Sequence, residues 1–204
     1  MIEVDCHGPT WTITLNRPDK ANALTAAMLS DLVDAAHAAV DAQAVILTGT
    51  GKVFSAGADL EAARAGLATS PDWERLSAAI AALRGLTIAA LNGTLAGGAT
   101  GMALACDLRI AVPRASFFYP VMKLGYLPQP SDPVRMAALI GPARTKMVFL
   151  AGQKLDAQTA LDFGLIDEIV HEGTVMQRAQ ALCRDISAAD VVVARRIKAM
   201  CQSE

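Results

Sequence analysis

The sequence predicts an α/β fold, and three observations carry that prediction. Pairs of short strand-like runs are followed repeatedly by helical stretches, an order that leads to crossover connections. The apolar run Thr87 to Leu91 enters a turn of small residues and then a small-residue helix. The 204 residues are 53% apolar, with a mean hydropathy of +0.35. That is enough to bury a core in one domain, or in a domain with a small appendage.

Ile2 to Asp5 and Trp11 to Leu15 alternate as strands, turned by His7-Gly8-Pro9. A polar loop, Asn16 to Leu24, leads to Thr25, the expected N-cap of a helix reaching about Val40 with Leu29, Leu32, Val33 and Ala36 on one face. Ala44 to Thr48 is a buried strand. The turn Gly49-Thr50-Gly51-Lys52 is not a phosphate loop, because the leading glycine is absent and Val53 follows the lysine. A short helix spans Leu60 to Ala65, and another starts at Pro71 with Ser70 as its cap. Asp107 to Val112 and Ser116 to Phe118 are short strands. Tyr119 to Pro130 should be irregular, since its three prolines break any ladder. Helices open at Asp132-Pro133 and at Pro142, Asp156 caps one ending at Gly164, and Ile166 to Val170 is a strand. Helices near Thr174 to Ile186 and Ala188 to Cys201 follow.

A net charge of −2 argues against a nucleic-acid surface. The cysteines Cys6, Cys106, Cys183 and Cys201 form no CxxC and have no partnering histidines, which disfavours a zinc site or a disulfide framework. Acids stand in Met1 to Asp5 where a signal peptide needs a basic and then an apolar run, so the expected location is cytoplasmic. Gly85 to Cys106 is uncharged, and Gly93, Gly97 and Gly101 imitate the spacing of a membrane-helix dimer motif. Asn92, Thr94, Thr100 and the glycines make that run too polar and too flexible for insertion, so no membrane partner is expected.

Two stretches carry the chemistry. Asn92-Gly93-Thr94-Leu95-Ala96-Gly97-Gly98 precedes a helix, where bare N–H groups and the helix dipole hold negative charge. Phe54-Ser55-Ala56-Gly57-Ala58-Asp59-Leu60 has the same small-residue character. Donors from two such loops make an oxyanion hole; either stretch alone also reads as close packing.

These stretches, with Leu15-Asn16-Arg17-Pro18, Ala21-Asn22-Ala23-Leu24, Cys106-Asp107-Leu108 and Gly164 to Val170, resemble the crotonase superfamily, the enoyl-CoA hydratase/isomerase family, along nearly the whole chain. The resemblance implies a crotonase-like spiral of ββα units over 1–187 and a shortened C-terminal helical segment over 188–204. It implies a homotrimer or a hexamer. It also implies an acyl-CoA thioester as ligand, with coenzyme A as part of the substrate and no permanently bound cofactor. Ala58 and Gly98 would supply the oxyanion-hole N–H groups. Lys20, Ala21, Ala23, Ala56, Asp59 and Leu60 would meet the coenzyme. Lys20 and Arg17 are candidate phosphate partners, with solvated surface charge as the alternative for each.

The chain departs from the family at its acid/base positions. The resemblance places one glutamate three residues after Gly98, where Gly101 stands, and another after Pro120, where Val121 stands. Tyr126 and Gln129 fall in the loop that would face the acyl group. Tyr126 and Asp132 are the candidate replacements, although Asp before Pro also reads as an ordinary N-cap. Tyr119 reads as an anchored aromatic, and Glu61, at a helix start, as a poor base. Three functions stay open: an acyl-CoA enzyme with a reaction other than simple hydration, a non-catalytic acyl-CoA binder or scaffold, and a hydratase or isomerase with replacement groups.

Overall fold

The structure is a computed structural model and describes residues 1–201. It opens with a hairpin of β1 (Ile2–His7) and β2 (Thr10–Leu15), paired from Ile2↔Leu15 to His7↔Thr10. β1 runs two residues further than expected and β2 starts one residue earlier, leaving Gly8-Pro9 to reverse the chain. Helix α1 (Ala26–Ala38) starts where expected, because the Thr25 hydroxyl accepts the Met28 N–H. Then come β3 (Ala44–Gly49), β4 (Val53–Ser55), α2 (Leu60–Arg64), α3 (Asp72–Ala81), β5 (Leu86–Leu91), β6 (Thr94–Ala96), α4 (Thr100–Leu104), β7 (Leu108–Ala111) and β8 (Ser116–Phe118). The chain continues through α5 (Val121–Leu124), α6 (Asp132–Phe149), β9 (Leu155–Asp156), α7 (Ala157–Phe163), β10 (Glu168–Ile169), α8 (Val175–Ala188) and α9 (Val191–Cys201).

Two sheets divide these strands. The larger has the order β1-β2-β3-β5-β7-β10, and the smaller β4-β6-β8-β9. Strands β3, β5 and β7 of the large sheet are each followed by a short strand of the small one and then by helix. The chain therefore winds as a spiral of strand–strand–helix turns, with parallel pairing between successive turns. Strands β3 and β5 are almost uniformly apolar and buried, because elements cover both of their faces. The three-residue strands β4 and β6 fall below the length at which alternation can be read from sequence.

Within the expected irregular stretch, Val121–Leu124 forms one helical turn, because Pro120 sits at its N-cap, where a missing N–H does no harm. The two helices expected after Asp132 meet at Gly141, whose φ of 79° breaks the helix before Pro142. The Asp107 carboxylate accepts from the Thr87 N–H and hydroxyl and from Lys198 Nζ at 2.7 Å, tying α9 to the core. Among the described residues no helix is long and apolar enough to cross a membrane.

Candidate active site

The loop before α1 is folded onto the loop before α2. Ala21 and Asn22 adopt left-handed backbone (φ 51° and 52°), a region that asparagine tolerates better than most residues. The buried Asn22 side chain accepts the Arg17 N–H and donates to Thr50 O and Val53 O, while the Ser55 hydroxyl donates to Asn22 O. The Ala56 N–H then donates to Ala21 O, Leu24 N–H to Gly57 O, and Asp59 N–H to Leu24 O. In this single-rung pairing of Leu24 with Ala58, Leu24 makes both hydrogen bonds to the residues flanking Ala58. The Ala58 N–H is left with no backbone partner among the described residues.

This clasp decides the coenzyme candidates. Ala21, Ala23, Ala56 and Asp59 come together, with Lys20 and Leu60 exposed beside them. Arg17 is neither a free phosphate partner nor a solvated charge. Its guanidinium donates to Ala23 O and to Asp59 Oδ2 at 2.8 Å, and both partners of the ion pair are largely shielded. Asp59 Oδ1 accepts the Glu61 and Ala62 N–H groups, capping α2. The Arg17 hydrogen bond, aided by these backbone donors, holds the Asp59 carboxyl below its ordinary range.

Gly97–Ala99 make one 3-10 turn leading into α4, and the first N–H groups of such a turn have no internal acceptor. A Cβ on Gly98 would lie 3.0 Å from the Trp73 ring, which is buried and pinned by its indole N–H on Leu67 O at 2.8 Å. A side chain at 98 would therefore crowd the Trp73 ring. Trp73, from α3, was not apparent as a site residue in the sequence, since only the folded chain sets its ring under the turn.

Ala58 and Gly98 line one cavity of about 330 Å³ with Trp73, Tyr119, Val121, Leu124, Tyr126 and Gln129. Its walls are mostly apolar, and Arg64 of α2 stands in the lining as a cation that sequence reasoning did not single out. Val121, at the position of one expected glutamate, faces this space. Tyr126 also lines it and is partly exposed.

Asp132 is placed differently from the expectation. Ser131 holds the N-cap position of α6 and Asp132 lies inside the first turn, so it is not a capping residue. The carboxyl has no solvent exposure and does not line the cavity. Oδ2 accepts the Tyr119 hydroxyl at 3.0 Å, and Oδ1 has no partner among the described residues. A Cβ added to Gly101 would meet Oδ1 at 2.6 Å and Ser77 Oγ at 2.7 Å, so the Asp132 carboxyl fills the space where a side chain at 101 would begin. Burial pushes its pKa up to about 7; nearby Glu74 adds to the rise, while Tyr119 and Arg135 oppose it. The same burial, with Asp132 alongside, pushes the Tyr119 phenol well above its ordinary value. Cys106 is an inert thiol: buried, donating to Met102 O, with a pKa pushed up to about 12.

A spiral of strand–strand–helix turns whose two small-residue loops converge on one apolar cavity defines a class of small-molecule-binding α/β proteins. Comparison with known proteins then places the chain within that class. A family model described as enoyl-CoA hydratase/isomerase matches residues 9–204. The Mycobacterium leprae protein named probable enoyl-CoA hydratase echA8 is 36% identical over 192 residues, covering 91% of this chain and 75% of its own length. An Arthrobacter protein named 4-chlorobenzoyl coenzyme A dehalogenase-2 is 32% identical over 200 residues, covering 92% of this chain and 72% of its own. The crystal structure of enoyl-CoA hydratase from Bacillus anthracis superposes with a TM-score of 0.86 at 31% identity, over 95% of this chain and 79% of that one. The chain belongs to the enoyl-CoA hydratase/isomerase family and has the crotonase fold.

Proposed function

We propose that the protein is an acyl-CoA enzyme that stabilises a thioester enolate between the N–H groups of Ala58 and Gly98, and that it is not an ordinary hydratase. The supporting observation is the convergence of those two residues on a single apolar cavity, with no backbone partner for the Ala58 N–H among the described residues. Negative charge accumulates on the thioester oxygen as the enolate forms, and two fixed donors stabilise it there; removing one such donor costs roughly 2.7–4 kcal/mol of transition-state stabilisation. Coenzyme A would lie against the clasp of Lys20, Ala21, Ala23, Ala56, Asp59 and Leu60. It enters as part of the substrate, and no permanent cofactor is invoked.

Hydration needs one group to deprotonate water and another to protonate the α-carbon, and each contributes roughly 10²–10⁴-fold. Gly101 and Val121 can do neither. Of the two candidate replacements, Tyr126 lines the cavity while Asp132 lies buried behind Tyr119, a lining that suits a reaction with fewer proton transfers, such as decarboxylation or thioester hydrolysis. The relatives' names include both a hydratase and a dehalogenase, so the family scaffold is compatible with more than one reaction on a CoA thioester. The accompanying assembly is a homotrimer or hexamer, and the location cytoplasmic.

The test separates binding from turnover. Calorimetry with acetyl-CoA should show binding, and a mass-spectrometric panel of acyl-CoA thioesters should show turnover of at least one. Crotonyl-CoA hydration should run about 10⁴-fold or more below a glutamate-bearing family member, from the same estimate. Comparable hydration rates would refute the reading, and binding without any turnover would favour a scaffold.

A further inference from the structure

The cavity wall includes a tyrosine whose hydroxyl is backed by a hidden carboxyl. Tyr119 lines the cavity, while Asp132 lies behind it at 0% exposure with one oxygen on the Tyr119 hydroxyl and the other without a partner among the described residues. A buried carboxyl with an unsatisfied oxygen is expensive unless the site has a use for it. The position also matters, because Asp132 enters from α6 into the volume left by the missing side chain of Gly101 on α4. The two residues come from segments 13 positions apart, and neither forms a known motif in sequence.

We infer that Tyr119 transfers the proton at the acyl α-carbon and that Asp132 is its positioning partner, the two forming a short proton wire from the cavity into the protein. This rests on the acyl-CoA reading above. In the forward step the α C–H bond breaks and its electron pair becomes the enolate, whose charge lies on the thioester oxygen. The α-proton goes to the Tyr119 oxygen as the Tyr119 hydroxyl proton passes to Asp132 Oδ2. In the reverse step Asp132 returns its proton to Tyr119 while Tyr119 protonates the α-carbon, so atoms and charge balance with no added reagent. Tyr119 never becomes a free phenolate, which its apolar surroundings disfavour. Around the carboxyl, Glu74 of α3 opposes ionisation, Arg135 of α6 favours it, and the Ser77 hydroxyl faces it across Gly101.

The test is exchange of the C2 protons of butyryl-CoA in D₂O, followed by mass spectrometry, because enolisation needs no knowledge of the natural acyl group. The wild type should incorporate deuterium, at a rate that rises with pH through about 7 as Asp132 becomes the carboxylate that receives the proton. Tyr119→Phe should lower exchange by about 10²-fold or more, with calorimetric affinity for butyryl-CoA changed less than about threefold, since no binding contact is removed. Asp132→Asn should lower exchange comparably and remove its rise near pH 7, which a purely structural role would not do. The wild-type pH profile stands even if a variant melts early. Binding with full exchange in Tyr119→Phe, or binding with no wild-type exchange, overturns the wire alone. Failure to bind butyryl-CoA overturns the acyl-CoA reading, and the wire with it.

Discussion

Installing the family's glutamate at position 101 should damage this protein before it can help it. A Cβ at Gly101 would lie 2.6 Å from Asp132 Oδ1, 2.7 Å from Ser77 Oγ and 3.2 Å from Asp132 Cγ. Real Cβ atoms do not approach as closely as the first two contacts, and α4 is packed inside the core, so the Asp132 carboxyl and the Ser77 side chain must shift. Overpacking of this kind costs about 1–3 kcal/mol. Two carboxyls would also share one buried site, and only one of them could ionise near neutral pH. For a chain of this length each kcal/mol corresponds to roughly 2–4 °C in melting temperature, so Gly101→Glu should melt about 2–12 °C lower. Asp132→Ala removes both Asp132 contacts, leaving a hydroxyl that can rotate. The same Gly101→Glu change should then cost at least about 1 kcal/mol less, a coupling within the range expected for touching residues. The assay is thermal unfolding of the four proteins of the cycle, with crotonyl-CoA hydration measured alongside. Equal cost of Gly101→Glu in both backgrounds would refute the steric assignment. Full stability with hydratase activity in the single variant would refute the replacement of that glutamate by Asp132.

Three further outcomes follow from the geometry. Gly98→Ala should displace the Trp73 ring or the 97–99 turn by a few tenths of an ångström. That should be seen as a change in tryptophan fluorescence, with turnover of any accepted thioester falling toward the ~10²–10³-fold loss of one oxyanion donor. The raised pKa of Asp132 gives the folded state more bound protons than the unfolded state between about pH 4 and 7. This group's contribution to stability is therefore present below pH 4 and lost as pH rises through about 7, by as much as ~4 kcal/mol. Denaturant melts should show wild-type stability falling relative to Asp132→Asn across that window, and parallel curves would contradict it. Lys198→Met removes the ammonium that donates to Leu83 O, Gly85 O and Asp107 Oδ2. It should destabilise by about 1.5–3 kcal/mol, the range for hydrogen bonds to charged groups, with α9 amides exchanging faster by hydrogen-exchange mass spectrometry.

The sequence by itself determined the fold class, the family resemblance and the identity of the two converging loops. Those features are written in local chemistry: apolar runs at β3 and β5, the Thr25 and Asp156 caps whose side chains accept helix N–H groups, and the small-residue turns around Ala58 and Gly98. It also has Gly101 and Val121 at the two positions where the resemblance places glutamates. What it could not show is what fills the space they leave. Asp132 before Pro133 carries the local signature of a helix cap, and Tyr119 before Pro120 that of an anchored aromatic. Arg17 in a polar loop looks solvated until Asp59, 42 positions away, is brought against it. Trp73 has no local sign of lying under Gly98. Each of these roles depends on a partner from another turn of the spiral. Burial, which raises the Asp132 pKa and leaves one of its oxygens bare, is a property of the packed assembly of α3, α4 and α6, so only the tertiary structure decided it.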